Sequence, residues 1–219
     1  MDFKIISTPA KLNHMKIIFL LLAVTFCNVC LAKEIQETDS IPKGWQTSPN
    51  NDPDVEIGTD TLIKHSGKAS AFIYRSPSGN GGTGGLTQVI EAIPYLGKRI
   101  RLSVYAKSKD VQRAFFYMRV DGKETSPNFA NTMKNSIEET TEWGIYQITL
   151  DVPDESVNIV FGSVMINRGT LWIDDYKLEI VDKTMPSDNI LTEQQKTLKF
   201  APRNYLPNKI AINLGFEER

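Results

Sequence analysis

The chain has 219 residues, 41% of them hydrophobic, with 25 Lys and Arg against 26 Asp and Glu and a net charge of −1. A balance so close to neutral leaves no basic stripe of the kind that gathers nucleic acid, so no nucleic-acid partner is expected. The length suffices for one good core, and both cysteines, Cys27 and Cys30, fall within the first 32 residues, so no disulfide holds the remainder.

Met15-Lys16 followed by I-I-F-L-L-L-A-V-T-F is a short positive start and an apolar run too short for a comfortable membrane span. Residues 1–32 therefore read as a signal peptide, with Met15 as the true start and cleavage after Ala32, and the expected location is periplasmic or extracellular. The 187 residues that follow carry 22 basic and 25 acidic side chains, a net charge of −3. Cys27-x-x-Cys30 sits inside the apolar export segment and reads as part of it, not as a redox or zinc pair. A lipid anchor needs a small residue before the modified cysteine, whereas Cys27 follows Phe26 and Cys30 follows Val29. Lys33–Ser40 is a polar linker.

From Ile41 the pattern is that of strands. After G-W (44–45) and a polar stretch comes V-E-I-G-T-D (55–60), then a segment in which Ala69, Ala71 and Ile73 alternate with Ser70, Phe72 and Tyr74. The glycine-rich run from Ser76 to Gly85 reads as a mobile loop; no G-K-[ST] follows it, so a phosphate loop is not supported. Between Gly97 and Asp121, Ile100, Leu102, Val104 and Ala106 make one period-two row and Ala114, Phe116, Met118 and Val120 another. The polar S-K-D-V-Q (108–112) between them reads as the link of an antiparallel pair. A polar connection from Gly122 to Glu142 leads to three further strands within 143–153, 157–166 and 170–181. One helix is expected at 188–199, capped by Ser187 or Asp188, with Leu191, Gln195 and Leu198 on one face. Seven or eight antiparallel strands on one core make the fold all-β, a jelly-roll β-sandwich of two antiparallel sheets over residues 41–183, with an extension at 184–219.

Opposite the aliphatic rows stand Arg101, Tyr105, Tyr117, Arg119 and Asp121. Flat rings beside planar hydrogen-bonding groups suit a sugar, which offers apolar ring faces edged by hydroxyls; these five are the candidate ligand-binding residues. The structural alternative is that they belong to packing, with Arg119 and Asp121 paired at a rim. Trp45, Trp143 and Trp172 read as core or edge packing. Catalytic pairings are poorly provided for. After residue 32 the one histidine is His65, read as a turn residue, and Asp174 and Asp175 are neighbours on a strand and so expected to point to opposite faces. No enzymatic activity is expected.

The order G-W (44–45), G-T-D (58–60), H-S-G-K-A-S (65–70), T-Q-V-I-E-A-I-P-Y-L-G-K-R-I-R-L-S-V-Y-A-K (87–107), M-R-V-D-G (118–122), W-G-I-Y-Q-I-T-L-D-V-P (143–153), F-G (161–162) and L-W-I-D-D-Y-K-L-E (171–179) resembles a jelly-roll module of the galactose-binding-like superfamily. It is similar to the carbohydrate-binding-type module ahead of the catalytic region in secreted bacterial tail-specific peptidases and in other exported or regulatory proteins. The 123–142 connection departs from that pattern. The resemblance implies a non-catalytic binding module whose partner is a carbohydrate or an envelope protein, as a monomer. It leaves a truncated or divergent relative of such a peptidase as the rival reading. Such modules usually open with an N-x-x-F-E strand; here N-L-G-F-E stands at 213–217. Either the terminal segment (210–217) returns an edge strand to the sandwich or it opens a second module. The resemblance also implies a structural calcium held by Glu217 with Asp174 or Asp175, against the plainer reading of surface carboxylates at a strand end.

Overall fold

The computed structural model describes residues 37–38, 41–78, 81–199 and 206–218; the expected signal peptide lies outside them. Among the described residues there are ten strands: β1 (Glu37–Thr38), β2 (Gln46–Thr47), β3 (Glu56–Asp60), β4 (Ser70–Arg75), β5 (Thr83–Glu91), β6 (Arg99–Asp121), β7 (Asn128–Asn131), β8 (Ile137–Asp151), β9 (Asn158–Ile166) and β10 (Gly169–Val181). One α-helix, α1 (Glu193–Lys196), follows them.

β6 decides the architecture. Residues 99–121 form one strand of 23 residues, where the sequence suggested two strands and a link. Its first half pairs with β10 and β8, and its second half with β9 and β7. The first sheet is therefore β1-β3-β4-β10-β6-β8 and the second β2-β5-β9-β6-β7, all pairs antiparallel, with β6 passing from one to the other. The molecule is a jelly-roll β-sandwich, with its core between the two sheets.

S-K-D-V-Q is where β6 bends. Its register with β8 shifts three times between Ala106 and Ala114, and Asp110 takes a φ of 54°. Bulges of this kind turn a strand without ending its pairing. Lys109, Asp110 and Gln112 are exposed while Val111 stays buried, so the polar composition marks the outside of a corner. Ser108, fully buried, donates its hydroxyl to the Glu139 carbonyl at 2.9 Å. β8 accordingly starts at Ile137, inside what the sequence presents as a polar connection.

The glycine run is not a loose loop either, over the residues described. Gly82, Gly84 and Gly85 lie at or in β5, and the segment 48–55 is laid against them. A Cβ on Gly82 would meet Asp52 Oδ2 at 2.2 Å, one on Gly84 would meet Val55 Cγ1 at 2.4 Å, and one on Gly85 would meet the Ser163 carbonyl at 2.4 Å. Ser48 and Asp52 donate backbone N–H groups to Gly85 and Thr83. Gly82 and Gly84 leave room for the side chains of Asp52 and Val55, and Gly85 for the backbone of β9.

Two C-terminal pieces close the sandwich. The helix is a single turn, capped by Thr192 with Gln195 in a capping box, and neither Ser187 nor Asp188 caps it. Asp188 instead accepts from the backbone of Thr149 in β8, and Asn189 from that of Phe129 in β7, so this segment spans the open side between the sheets. Residues 206–218 return to the sandwich but do not form the edge strand expected over 210–217. Asn208 exchanges backbone bonds with Val89 and Glu91 of β5. The buried Gln88 side chain then stands in for a strand backbone, accepting from Ile212 N and donating to Ile212 O, both at 2.9 Å. Trp45 Nε1 donates to the Asn213 carbonyl, and Phe216 enters the core beside Trp45 and Tyr176.

Candidate ligand face

Because β6 serves both sheets, its outward row is divided. Arg101 and Tyr105 project from the outer face of the first sheet, Tyr117, Arg119 and Asp121 from that of the second. Tyr105 and Tyr117 stand on one strand, not on adjoining ones, a dozen residues apart and so about 40 Å at full extension. The structure does not gather the five expected ligand residues into one site.

The half on the first sheet is covered. The Thr61–Lys68 loop reaches this face through His65; Phe72 and Trp172 are buried on it, and Trp172 Nε1 donates to Asp60 Oδ2 at 2.9 Å. His65 stays exposed in the turn where the sequence puts it, but its ring has partners. It stacks on Tyr105 with ring centroids 3.8 Å apart and planes 13° apart, lies edge-on to Trp143, and its Nδ1 is 2.7 Å from Asp175. Arg101 is taken by Glu179, which lies 3.0 Å from its Nε and 2.6 Å from its Nη2. Of the three tryptophans, Trp45 is in the core, Trp172 is buried beside Asp60 and Trp143 is half-buried next to His65.

The same loop engages the carboxylates expected to hold calcium. Asp174 and Asp175 do not point apart as strict alternation requires. β10 bulges between Asp174 and Lys177, Asp175 has a φ of 47°, and both side chains reach the same turn. Asp174 Oδ2 accepts from the backbone N–H groups of His65 and Ser66 and its Oδ1 from that of Asp175. Asp175 accepts from the Ser66 hydroxyl, and Glu217 accepts from Lys68 N through both oxygens at 2.9 Å. Among the described residues no three His, Cys, Asp or Glu side chains converge closely enough to hold a metal ion. The oxygens accept from N–H and O–H donors, so in this arrangement Asp174, Asp175 and Glu217 clamp the loop. Burial of the Asp174 carboxyl, which is 0% exposed, outweighs those three N–H bonds and pushes its pKa up to about 6.

The half on the second sheet is open. Tyr117, Gly162 and Thr87 are register partners on the consecutive strands β6, β9 and β5. Tyr117 OH lies 2.8 Å from Thr87 Oγ1, so the ring reaches across the bare Gly162 and lies along the sheet. No side chain at 162 could share that space, and a Cβ there would already meet the Leu86 carbonyl at 2.1 Å. Ser48 Oγ continues the hydroxyl chain at 3.3 Å from Thr87 Oγ1. Beside Tyr117 on the same face, Arg119 grips Asp121 through Nε at 2.7 Å and Nη2 at 2.9 Å, and Ser126 donates to the same carboxylate. The rim pair read from the sequence is thus present. Register places Phe129 opposite Arg119 and Asn131 opposite Tyr117.

The turn from Gln46 to Asn50 rises along one side and completes a groove of about 490 Å³, lined by Gln46, Thr47, Pro49, Asn50, Thr87, Tyr117, Arg119 and Val160. Sequence reasoning found Tyr117 and Arg119 but missed Gln46, Asn50 and Thr87, which come from other strands and loops. The signal for Gly162 was available: one glycine inside the apolar run I-V-F-G-S-V marks close approach.

No protein-family model matches the chain. It is 35% identical over 189 residues to an uncharacterized HTH-type transcriptional regulator, YbfP, of Bacillus subtilis (strain 168), an alignment covering 85% of this chain. The chain spans 60% of the length of that curated relative. Among solved structures it is similar to the CBM22-1 xylan-binding domain of Xyn10C from Paenibacillus barcinonensis, with a TM-score of 0.46 and 11% identity over 67% of this chain and 92% of that one. It is likewise similar to TmCBM61 in complex with β-1,4-galactotriose, with a TM-score of 0.45 and 16% identity over 64% of this chain and 90% of that one. At these values the likeness is one of general architecture.

Proposed function

We propose that the chain is a non-catalytic recognition module that takes a carbohydrate in the groove on its second sheet. The observation that carries this reading is the Tyr117 ring laid along the sheet over Gly162, with Arg119, Gln46, Asn50 and Thr87 around it. A flat apolar face edged by guanidinium, amide and hydroxyl groups matches the alternating character of a sugar ring. Against catalysis stands the commitment of the Ser66 hydroxyl to Asp175 and not to His65, so Ser66 and His65 do not form a nucleophile–base pair. Export is supported by the make-up of residues 15–32.

The test is binding of soluble oligosaccharides, xylan- and galactan-derived chains first among them, followed by calorimetry. Tyr117→Ala is expected to lower the association constant about ten-fold or more, whereas Tyr105→Ala leaves it unchanged because that ring lies under His65. Equal binding by Tyr117→Ala, or loss on Tyr105→Ala, would refute the assignment.

A second reading follows from the regulator relative: the sandwich as the ligand-sensing portion of a transcriptional regulator. The α-helix among the described residues has four residues, too short for helix-turn-helix reading of a major groove, so in this reading DNA contact falls outside them. Cell fractionation separates the two, since an exported module is recovered outside the cytoplasm and a regulator within it.

A further inference from the structure

Arg75 ends β4, opposite Gly169 of β10, in the first sheet, whereas Tyr117 stands on the second. Its side chain is 2% exposed and its Nε has no hydrogen-bond partner. The nearest carboxylates to its Nη2 are Asp52 at 3.5 Å and Asp54 at 3.9 Å, beyond the range of a good N–H to oxygen bond. A guanidinium stays charged and carries five donors, so a buried one with unmade bonds calls for an acceptor. Beside it opens a pocket of about 410 Å³ lined by Pro53, Asp54, Glu56, Arg75, Ser76 and Ser78. That volume is at the small end of the range for ligand sites.

The lining selects the chemistry. Arg75 only donates, carboxylates such as Asp54 and Glu56 only accept, and the Ser76 and Ser78 hydroxyls, 2.9 Å apart, do either. An anion drawn to Arg75 would meet Asp52, Asp54 and Glu56; a cation drawn to the carboxylates would meet Arg75. A hydroxyl group escapes both conflicts, because its oxygen accepts from the guanidinium while its proton goes to a carboxylate. We propose that this pocket is a second ligand site, which takes the vicinal hydroxyls of a single neutral sugar ring. It shares no residue with the groove and does not depend on what the groove binds.

The test is amide chemical-shift mapping of the full chain with methyl β-D-galactopyranoside, methyl β-D-xylopyranoside, glucuronate and sulfate at millimolar concentration. A neutral glycoside is expected to move the amides of Asp54, Glu56, Ser76 and Ser78, and to do so equally in Tyr117→Ala. Because Arg75 is buried and its replacement risks the fold, the exposed Asp54→Ala is the informative variant, expected to weaken the response about ten-fold. The proposal is overturned if neither neutral glycoside moves these amides, if sulfate or glucuronate moves them more, if Tyr117→Ala abolishes the response, or if Asp54→Ala leaves it intact.

Discussion

Phe216→Ala tests whether the returning terminal segment belongs to the core. The ring is 1% exposed and its centroid lies 5.0 Å from that of Trp45 and 6.1 Å from that of Tyr176. Its backbone φ of 56° is strained for a residue with a Cβ. Alanine keeps the Cβ and therefore the strain, so the difference between the two proteins is the ring alone. Removing a buried phenylalanine ring costs about 3–5 kcal/mol through lost transfer energy and the cavity left behind. For a domain of this size each kcal/mol lowers Tm by roughly 2–4 °C, so a fall of roughly 6–20 °C is expected. Urea denaturation followed by tryptophan fluorescence measures the loss and also reports on Trp45, whose Nε1 is bonded to Asn213 in the same segment. Phe216→Leu, which keeps most of the volume, should lose less than half as much. A cost below about 1 kcal/mol with Trp45 emission unchanged would refute the reasoning, because the segment would then be an appendage and not a wall of the core.

Gly162→Ala should destabilise by about 1–3 kcal/mol, since its Cβ would meet the Leu86 carbonyl, and should weaken sugar binding together with Tyr117→Ala by displacing the ring above it; full retention of binding would separate Tyr117 from the groove. The raised Asp174 pKa gives an unusual pH dependence. The folded carboxyl holds its proton up to about 6 against roughly 3.9 unfolded, so this contribution is present at low pH and is lost as pH rises from about 4 through 6, by up to about 2–3 kcal/mol. Asp174→Asn should remove that slope in denaturation at pH values spanning this window, while weakening the fold by turning an N–H donor toward the backbone N–H groups of the loop; an unaltered slope would exclude Asp174 as its source. The Arg99 guanidinium holds Asp151 below the usual carboxylate range, so its contribution runs the other way and is lost in acid as pH falls through that lowered value; Arg99→Met should flatten the acid limb, and an unchanged limb would count against the pair. Adding calcium or a chelator should leave Tm unchanged, because the Asp174, Asp175 and Glu217 oxygens already face protein donors; a calcium-dependent rise would show that the loop rearranges to admit a cation.

Much of the fold was legible because strands buried on one face write themselves in period two. Ile100 to Ala106 and Ala114 to Val120 were readable as core rows, and both are buried. Two of the failures share one cause: bulges. S-K-D-V-Q looks like a link, but with Val111 inward and Asp110 at positive φ it continues β6 around a corner. The same device at Asp175 defeats the rule that neighbours on a strand face apart. The candidate site was legible only in part, since Tyr117 and Arg119 share a strand, whereas Gln46, Asn50 and Thr87 reach them through pairings of β2, β5 and β9 that no local pattern encodes.

From sequence alone, the alternation of apolar residues determined an all-β chain and which side of each strand is dry, because that depends only on the pleat and on the cost of leaving apolar surface in water. Tertiary structure decided which outward residues meet. β6 crosses between two sheets, so Tyr105 is carried under the His65 loop and Tyr117 into an open groove. Identical periodicity put the two tyrosines on the same side of one strand; what covers that side is set by segments distant in the chain, Thr61–Lys68 in one case and Gln46–Asn50 in the other.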